Sequence, residues 1–96
     1  MSRRCMYKFR LYVAGEAQNS VTAIANLGAL CRAHLKDRHS IEVVDVFKEP
    51  QRALADGIFM TPSLVKLSPF PNRKIIGTLG ETRVVLAALG LDAAMA

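Results

Sequence analysis

Tyr7-Lys8-Phe9-Arg10-Leu11-Tyr12-Val13-Ala14-Gly15-Glu16-Ala17-Gln18-Asn19-Ser20 is the stretch that decides the fold. Its opening residues alternate, with Tyr7, Phe9, Leu11 and Val13 on one side and Lys8, Arg10 and Tyr12 on the other. That is the period of a strand with one face better buried than the other. Gly15 breaks the alternation, and Asn19 or Ser20 is expected to cap a following helix by accepting a backbone N–H bond. The helix runs to about Leu35, with Val21, Ile24, Leu27, Cys31 and Leu35 as its apolar stripe. A strand thus feeds directly into a helix, through a turn (Ala14 to Ser20) that contains no cysteine.

Beyond a polar connection at Lys36 to Ser40, the β-branched run Ile41 to Phe47 suits a largely buried parallel strand. Strand, helix and strand make a βαβ unit. Pro50 fits the first turn of a short helix over Gln51 to Asp56, and Gly57 can end it in a left-handed conformation. Ser63 to Leu67 reads as a strand, Ser68-Pro69-Phe70-Pro71-Asn72 as a turn, and Arg73 to Gly77 as a strand antiparallel to the preceding one. Thr78 and Glu81 have the spacing of a capping box before a helix through Leu89, with Gly90 as its stop. The order βαβαββα, in one domain over residues 1–96, is α/β. Lys74 to Gly77 and Val84 to Leu86 carry β-branched residues that tolerate other assignments, so local propensity in this half is weakly committed.

A hydrophobic share of 51% against 22% charged describes a compact globule, not a disordered tail. No apolar run approaches the ~20 residues needed to span a bilayer. The basic start Met1-Ser2-Arg3-Arg4-Cys5 is followed by no apolar stretch or small-residue cleavage site, so the expected address is cytoplasmic. The net charge of +5 is spread along the chain, without a zinc-finger, helix-turn-helix or RNA-recognition signature. With 6% aromatics and no tryptophan, a stacking platform for single strands is poorly supplied. The expected partners are acidic proteins, with no nucleic acid and no membrane.

Cys5 and Cys31 have no metal-binding spacing, and His34 and His39 are the only histidines, so no metal or cofactor is implied. Cys31 reads as a small buried hydrophobe. Asp45 reads as a strand-end carboxylate reaching backbone N–H groups or solvent, since no acid–base partner is placed beside it. Ser20 lacks the context of a nucleophile. No catalytic constellation emerges, and the chain is expected not to be an enzyme.

This layout, with Thr61-Pro62 ahead of an apolar strand, resembles a thioredoxin-like domain. Such domains place a cis-proline there, the alternative being an ordinary strand-entry proline. Their redox members carry Cys-x-x-Cys in the first strand-to-helix turn, so the resemblance implies the scaffold without its chemistry. A thioredoxin-fold redox protein would need Cys5 or Cys31 exposed, with a depressed pKa.

A more specific resemblance lies in five blocks: Leu11-Tyr12-Val13-Ala14-Gly15 with Asn19-Ser20; Val44-Asp45-Val46 with Pro50-Gln51; Thr61-Pro62-Ser63-Leu64 with Lys66; Ile75-Ile76-Gly77; and Gly90-Leu91-Asp92. Together they resemble the KaiB family of circadian clock proteins, from about Lys8 to Asp92. The resemblance implies a non-enzymatic regulator that binds a KaiC-type ATPase ring and modulates its phosphorylation and ATPase cycle. A KaiA-like or histidine-kinase protein is a further implied partner. It also implies two folds of one sequence, a homotetrameric (or dimeric) ground state and a monomeric thioredoxin-like form that binds KaiC. The N-terminal βαβ half is common to both and the C-terminal half is rebuilt, as between two packings close in free energy.

Gly90, Asp92 and Pro62 are the implied fold-switch control residues. Glycine at a helix end tolerates positive φ, and aspartate near a helix C-terminus opposes the macrodipole, so Gly90 and Asp92 weaken the last helix. Gly90→Ala is accordingly expected to strengthen it. Pro62, with Pro69 and Pro71, adds slow steps wherever an isomer changes between folds. The implied partner-binding positions are Lys48, Gln51, Glu42, Thr22 and Gly57. Of these, Thr22, Glu42 and Gly57 stand where circadian members tend to carry basic residues toward KaiC. That marks a divergent member with its own KaiC-like ATPase, and an adaptor in stress signalling without a true clock is the alternative function.

Overall fold

The computed structural model describes residues 6–91 and has the expected element order. The elements are β1 (Tyr7–Val13), α1 (Gln18–His34), β2 (His39–Asp45), α2 (Pro50–Ala55), β3 (Ser63–Ser68), β4 (Arg73–Ile76) and α3 (Thr82–Ala88). The four strands form one sheet in the order β2-β1-β3-β4. β1 runs parallel to β2 and antiparallel to β3, and β4 returns antiparallel to β3. The Thr61-Pro62 peptide bond is cis, as are Ser68-Pro69 and Phe70-Pro71.

The sheet is covered on both faces. On one, Phe9, Leu11 and Val13 of β1 and Leu64 of β3 pack with Leu27, Leu30 and Cys31 of α1 and Val85, Leu86 and Leu89 of the α3 region. On the other, Tyr12, Val44 and Val65 pack with Ala53 of α2 and Ile58. Tyr12, expected on the less buried side, is therefore fully buried, because α2 closes that face. A side chain such as Leu27 contributes about 1.5–3 kcal/mol by leaving water.

Three local expectations are corrected. The apolar stripe of α1 lies on Ser20, Ala23, Leu27, Leu30 and Cys31, while Val21 and Ile24 are exposed. Ser20 is drawn to this face by its tie to the turn before the helix, and the small Ala23 follows it one turn on. Neither Asn19 nor Ser20 caps α1, because the helix starts at Gln18 with Ala17 as its N-cap. The Ser20 hydroxyl instead accepts the Ala14 N–H at 3.0 Å and fixes the strand-to-helix turn. Nor does the Thr78–Glu81 capping box form: Glu81 is the N-cap of α3 and makes no side-chain cap bond. Leu79, at φ +65°, interrupts the helical path between those two residues.

β2 also differs from expectation. It spans His39–Asp45 and is an edge strand, with only Val44 buried. Its β-branched run satisfies a strand that has one neighbour, and Phe47 lies beyond it in the connection to α2.

α2 and α3 end in the same way. Gly57 has φ +69° and Gly90 has φ +78°. After α2, Gly57 N–H donates to Leu54 O at 3.0 Å and Ile58 N–H to Ala53 O at 2.8 Å. After α3, Gly90 N–H donates to Ala87 O at 3.1 Å and Leu91 N–H to Leu86 O at 2.8 Å. Each is a Schellman motif, which satisfies the last helical carbonyls through a left-handed residue. Gly57 thus ends α2 as its sequence context suggests. Gly90 lies outside α3, so the expectation that Gly90→Ala strengthens that helix is corrected, since an added Cβ would oppose the left-handed φ. Asp92 and Cys5 fall outside the described residues.

Candidate partner-binding surface

The turn between β1 and α1 is held by hydrogen bonds. Asp45 Oδ1 accepts the N–H of Gly15 at 3.2 Å and of Phe47 at 2.9 Å, tying this turn to the β2–α2 connection. The strand-end role read for Asp45 is the observed one. Cys31 lies deep in the core, where burial pushes its thiol up to about 11, leaving negligible thiolate near neutrality.

Around this end of the sheet stand large apolar side chains in water. Phe47 is 75% exposed and Phe59 87%, with Met60 and Leu54 also exposed. Phe47, Phe59, Met60, Val46, Ile58 and Thr61 line an open groove of 240 Å³ that reaches Ala14. Isolated exposed apolar residues are ordinary, but a cluster around a groove marks an interaction surface.

The adjoining α2 layer is fixed by charge. Arg10 on β1 donates from Nε to Glu42 Oε1 at 2.9 Å and from Nη1 to Asp56 Oδ2 at 3.0 Å. Arg52 on α2 pairs with Glu42 Oε2 at 2.8 Å and Glu49 Oε1 at 3.2 Å. The Tyr12 hydroxyl donates to Asp56 Oδ2 at 2.5 Å, with Arg52 O at 3.2 Å beside it. The Arg10 hydrogen bond, then that of Arg52, holds Glu42 below its ordinary carboxylate value. For Asp56 the Tyr12 hydrogen bond does so against a burial penalty. Burial, then the Asp56 hydrogen bond, raises the Tyr12 phenol. Lys74 closes the far end, donating from Nζ to Asp56 O at 3.1 Å and Gly57 O at 3.2 Å, where a cation complements the helix C-terminus.

The structure brings Lys48, Gln51, Glu42 and Gly57 to this layer. Lys48 and Gln51 share a groove of 380 Å³ with Glu49, Pro50 and Arg52 at the start of α2. Glu42 is occupied by two arginines, and Gly57 is covered at its carbonyl by Lys74. Thr22 is on α1, on the opposite face of the sheet, where its hydroxyl is 3.4 Å from Gln18 Nε2. Sequence reasoning missed Arg10, Tyr12, Arg52 and Asp56 as one network. The available signal was the placement of Arg10 and Tyr12 on the same side of β1.

Thioredoxin topology, a first turn without thiols and an exposed apolar end define a thioredoxin-like module that lacks the thiol pair. Solved structures agree on the fold. The N-terminal domain of Synechococcus elongatus SasA matches with a TM-score of 0.76 at 17% identity, covering 98% of this chain and 90% of that one. Mitochondrial thioredoxin 3 of Saccharomyces cerevisiae matches at 0.71 and 18% identity, covering 92% and 81%. The KaiB domain family model matches residues 10–91, and the chain belongs to the KaiB family. It is 43% identical to the circadian clock protein KaiB3 of a Synechocystis species, over 86% of this chain and 79% of that protein. It is 42% identical to the circadian clock oscillator protein KaiB of Synechococcus elongatus, over 96% and 88%.

Proposed function

We propose that the chain is a non-enzymatic cytoplasmic regulator that docks on a KaiC-type ATPase ring and modulates its phosphorylation and ATPase cycle in circadian or related timing. The observation that carries this reading is the apolar end of the sheet. Phe47, Phe59 and Met60 surround a groove next to the turn where redox members of the fold keep their thiols. Exposed aromatics around a groove are the residue type that dominates binding energy once water is excluded. Lys48, which makes no ion pair among the described residues, and Gln51 extend the surface along α2. Glu42 is neutralised within the protein by Arg10 and Arg52, so its role toward a partner is to set the position of α2.

In this reading the thioredoxin-like arrangement is the partner-binding form, and a homotetrameric ground state rebuilds the residues after Thr61. Gly90, Asp92 and Pro62 are its control positions. Size-exclusion chromatography with light scattering, on the chain alone and mixed with each KaiC-type ATPase of the source organism, tests it. Co-elution with one ring, weakened by Phe59→Ala at unchanged chain stability, is expected. No complex with any of those ATPases defeats the reading.

A further inference from the structure

Lys66 is 4% exposed, on the inner strand β3. It shares a face with Leu64, toward α1 and α3, where the strand pattern calls for an apolar residue. Its Nζ makes one long hydrogen bond, 3.4 Å to Leu89 O at the end of α3. Among the described residues, the other groups recorded beside it are cationic or neutral. Arg73 is its cross-strand partner on β4, Phe9 its partner on β1, and the Tyr7 ring centroid lies 5.8 Å from Nζ, with Arg38 over the same ring. No carboxylate lies within ion-pair distance of it among the described residues.

Favourable and unfavourable terms compete here. A cation at a helix C-terminus and over an aromatic ring is favoured, while a buried charge without a counter-ion is penalised more heavily. Burial, reinforced by Arg73, pulls the Lys66 ammonium below its ordinary value, which places the balance on the side of penalty.

We propose that Lys66 is a built-in brake on the docking of α3, a buried ammonium that keeps the C-terminal half marginally attached to the sheet. The long stem fills the apolar space, and the charge at its tip raises the free energy of the docked state. Partial detachment of α3 lets the tip reach water, so the segment opens locally before the rest of the fold. The brake belongs to the isolated chain, while its use in exchanging one C-terminal packing for another rests on the reading above. Exchange without partner and binding with partner therefore fail separately.

Native-state amide hydrogen exchange on the whole chain tests the brake. Lys66→Met keeps the stem and removes the charge, and protection of the Val85, Leu86 and Leu89 amides should rise by at least about tenfold. Arg73→Glu places a carboxylate across the strand pair, and should raise the same protection in the native background but not in Lys66→Met. Unchanged or lower protection in Lys66→Met overturns the proposal. So does a gain in Lys66→Met with none in Arg73→Glu, which assigns the effect to packing.

Discussion

Gly90→Ala sets two magnitudes against each other. In a helix interior, alanine is favoured over glycine by about 0.8–1.0 kcal/mol. Gly90 is not in a helix interior, since its φ is +78° and it forms the left-handed turn after α3. A Cβ there meets nothing within 4 Å, so no neighbour need move, and the cost is intrinsic to the backbone. That cost is about 1–2 kcal/mol for an L residue in the left-handed region. Stiffening of the unfolded chain returns roughly 0.4–1 kcal/mol. The net is a destabilisation of about 0.5–1 kcal/mol, a factor of about two to five in the folded-to-unfolded ratio. Urea unfolding followed by circular dichroism measures it as a lower midpoint at constant slope. Gly57→Ala, at φ +69°, should shift the midpoint in the same direction through α2. An unchanged or higher midpoint for Gly90→Ala refutes the reasoning, because it requires α3 to continue through residue 90.

Leu27→Ala should cost about 2–5 kcal/mol in thermal or chemical unfolding, since Leu27 is fully buried in the α1 core. Ile24→Ala, on the exposed side of the same helix, should stay within about 0.5 kcal/mol. Glu42 and Asp56 have folded values below their unfolded ones, near 4.5 and 3.8, so their stabilisation is complete above those values and lost as pH falls through the folded ones. Asp56→Asn should flatten the acid limb of a stability–pH curve, and an identical limb would remove Asp56 from the account. Cys31 should resist alkylation near neutral pH until the protein unfolds, and labelling as fast as a free thiol would contradict its burial.

The sequence made the elements legible through alternation in β1 and through glycine and proline at Gly15, Pro50, Gly57 and Gly90. Caps and faces were less legible for physical reasons. α1 offers Val21 and Ile24 as candidates for burial, and the fold buries Ala23 and Ser20 instead, with the Ser20 hydroxyl tied to the Ala14 N–H across the turn. At Thr78 the spacing of a capping box is present, but a left-handed Leu79 lies between its members. The Arg10 and Tyr12 links of the network were hidden because their partners lie 32 to 46 residues away, beyond the reach of any local pattern. The exposed aromatics were hidden for the opposite reason. Phe47 and Phe59 look like core residues until α2 and Ile58 are found to close that face of the sheet without them.

α2 and α3 share an ending but not an attachment. α2 is bound to the sheet by Arg10 and Tyr12 through Asp56, by Arg52 through Glu42, and by Lys74 at its C-terminal carbonyls. These bonds are directional, and several join in one network, so releasing α2 breaks many at once. α3 rests on Val85, Leu86 and Leu89, on apolar contacts that tolerate repacking, and on one long bond from a lysine that burial disfavours. Side-chain polar bonds thus hold the helix beside the contact surface. The helix at the other end of the chain is held mainly by apolar contacts, with Asn26 Nδ2 bonding Thr78 O at 2.7 Å in the connection ahead of it. The proposed function, in which α2 is presented unchanged while the C-terminal half adopts a second packing, calls for that asymmetry. Nothing in the shared Schellman endings supplies it, so it has to come from what the sheet offers each helix.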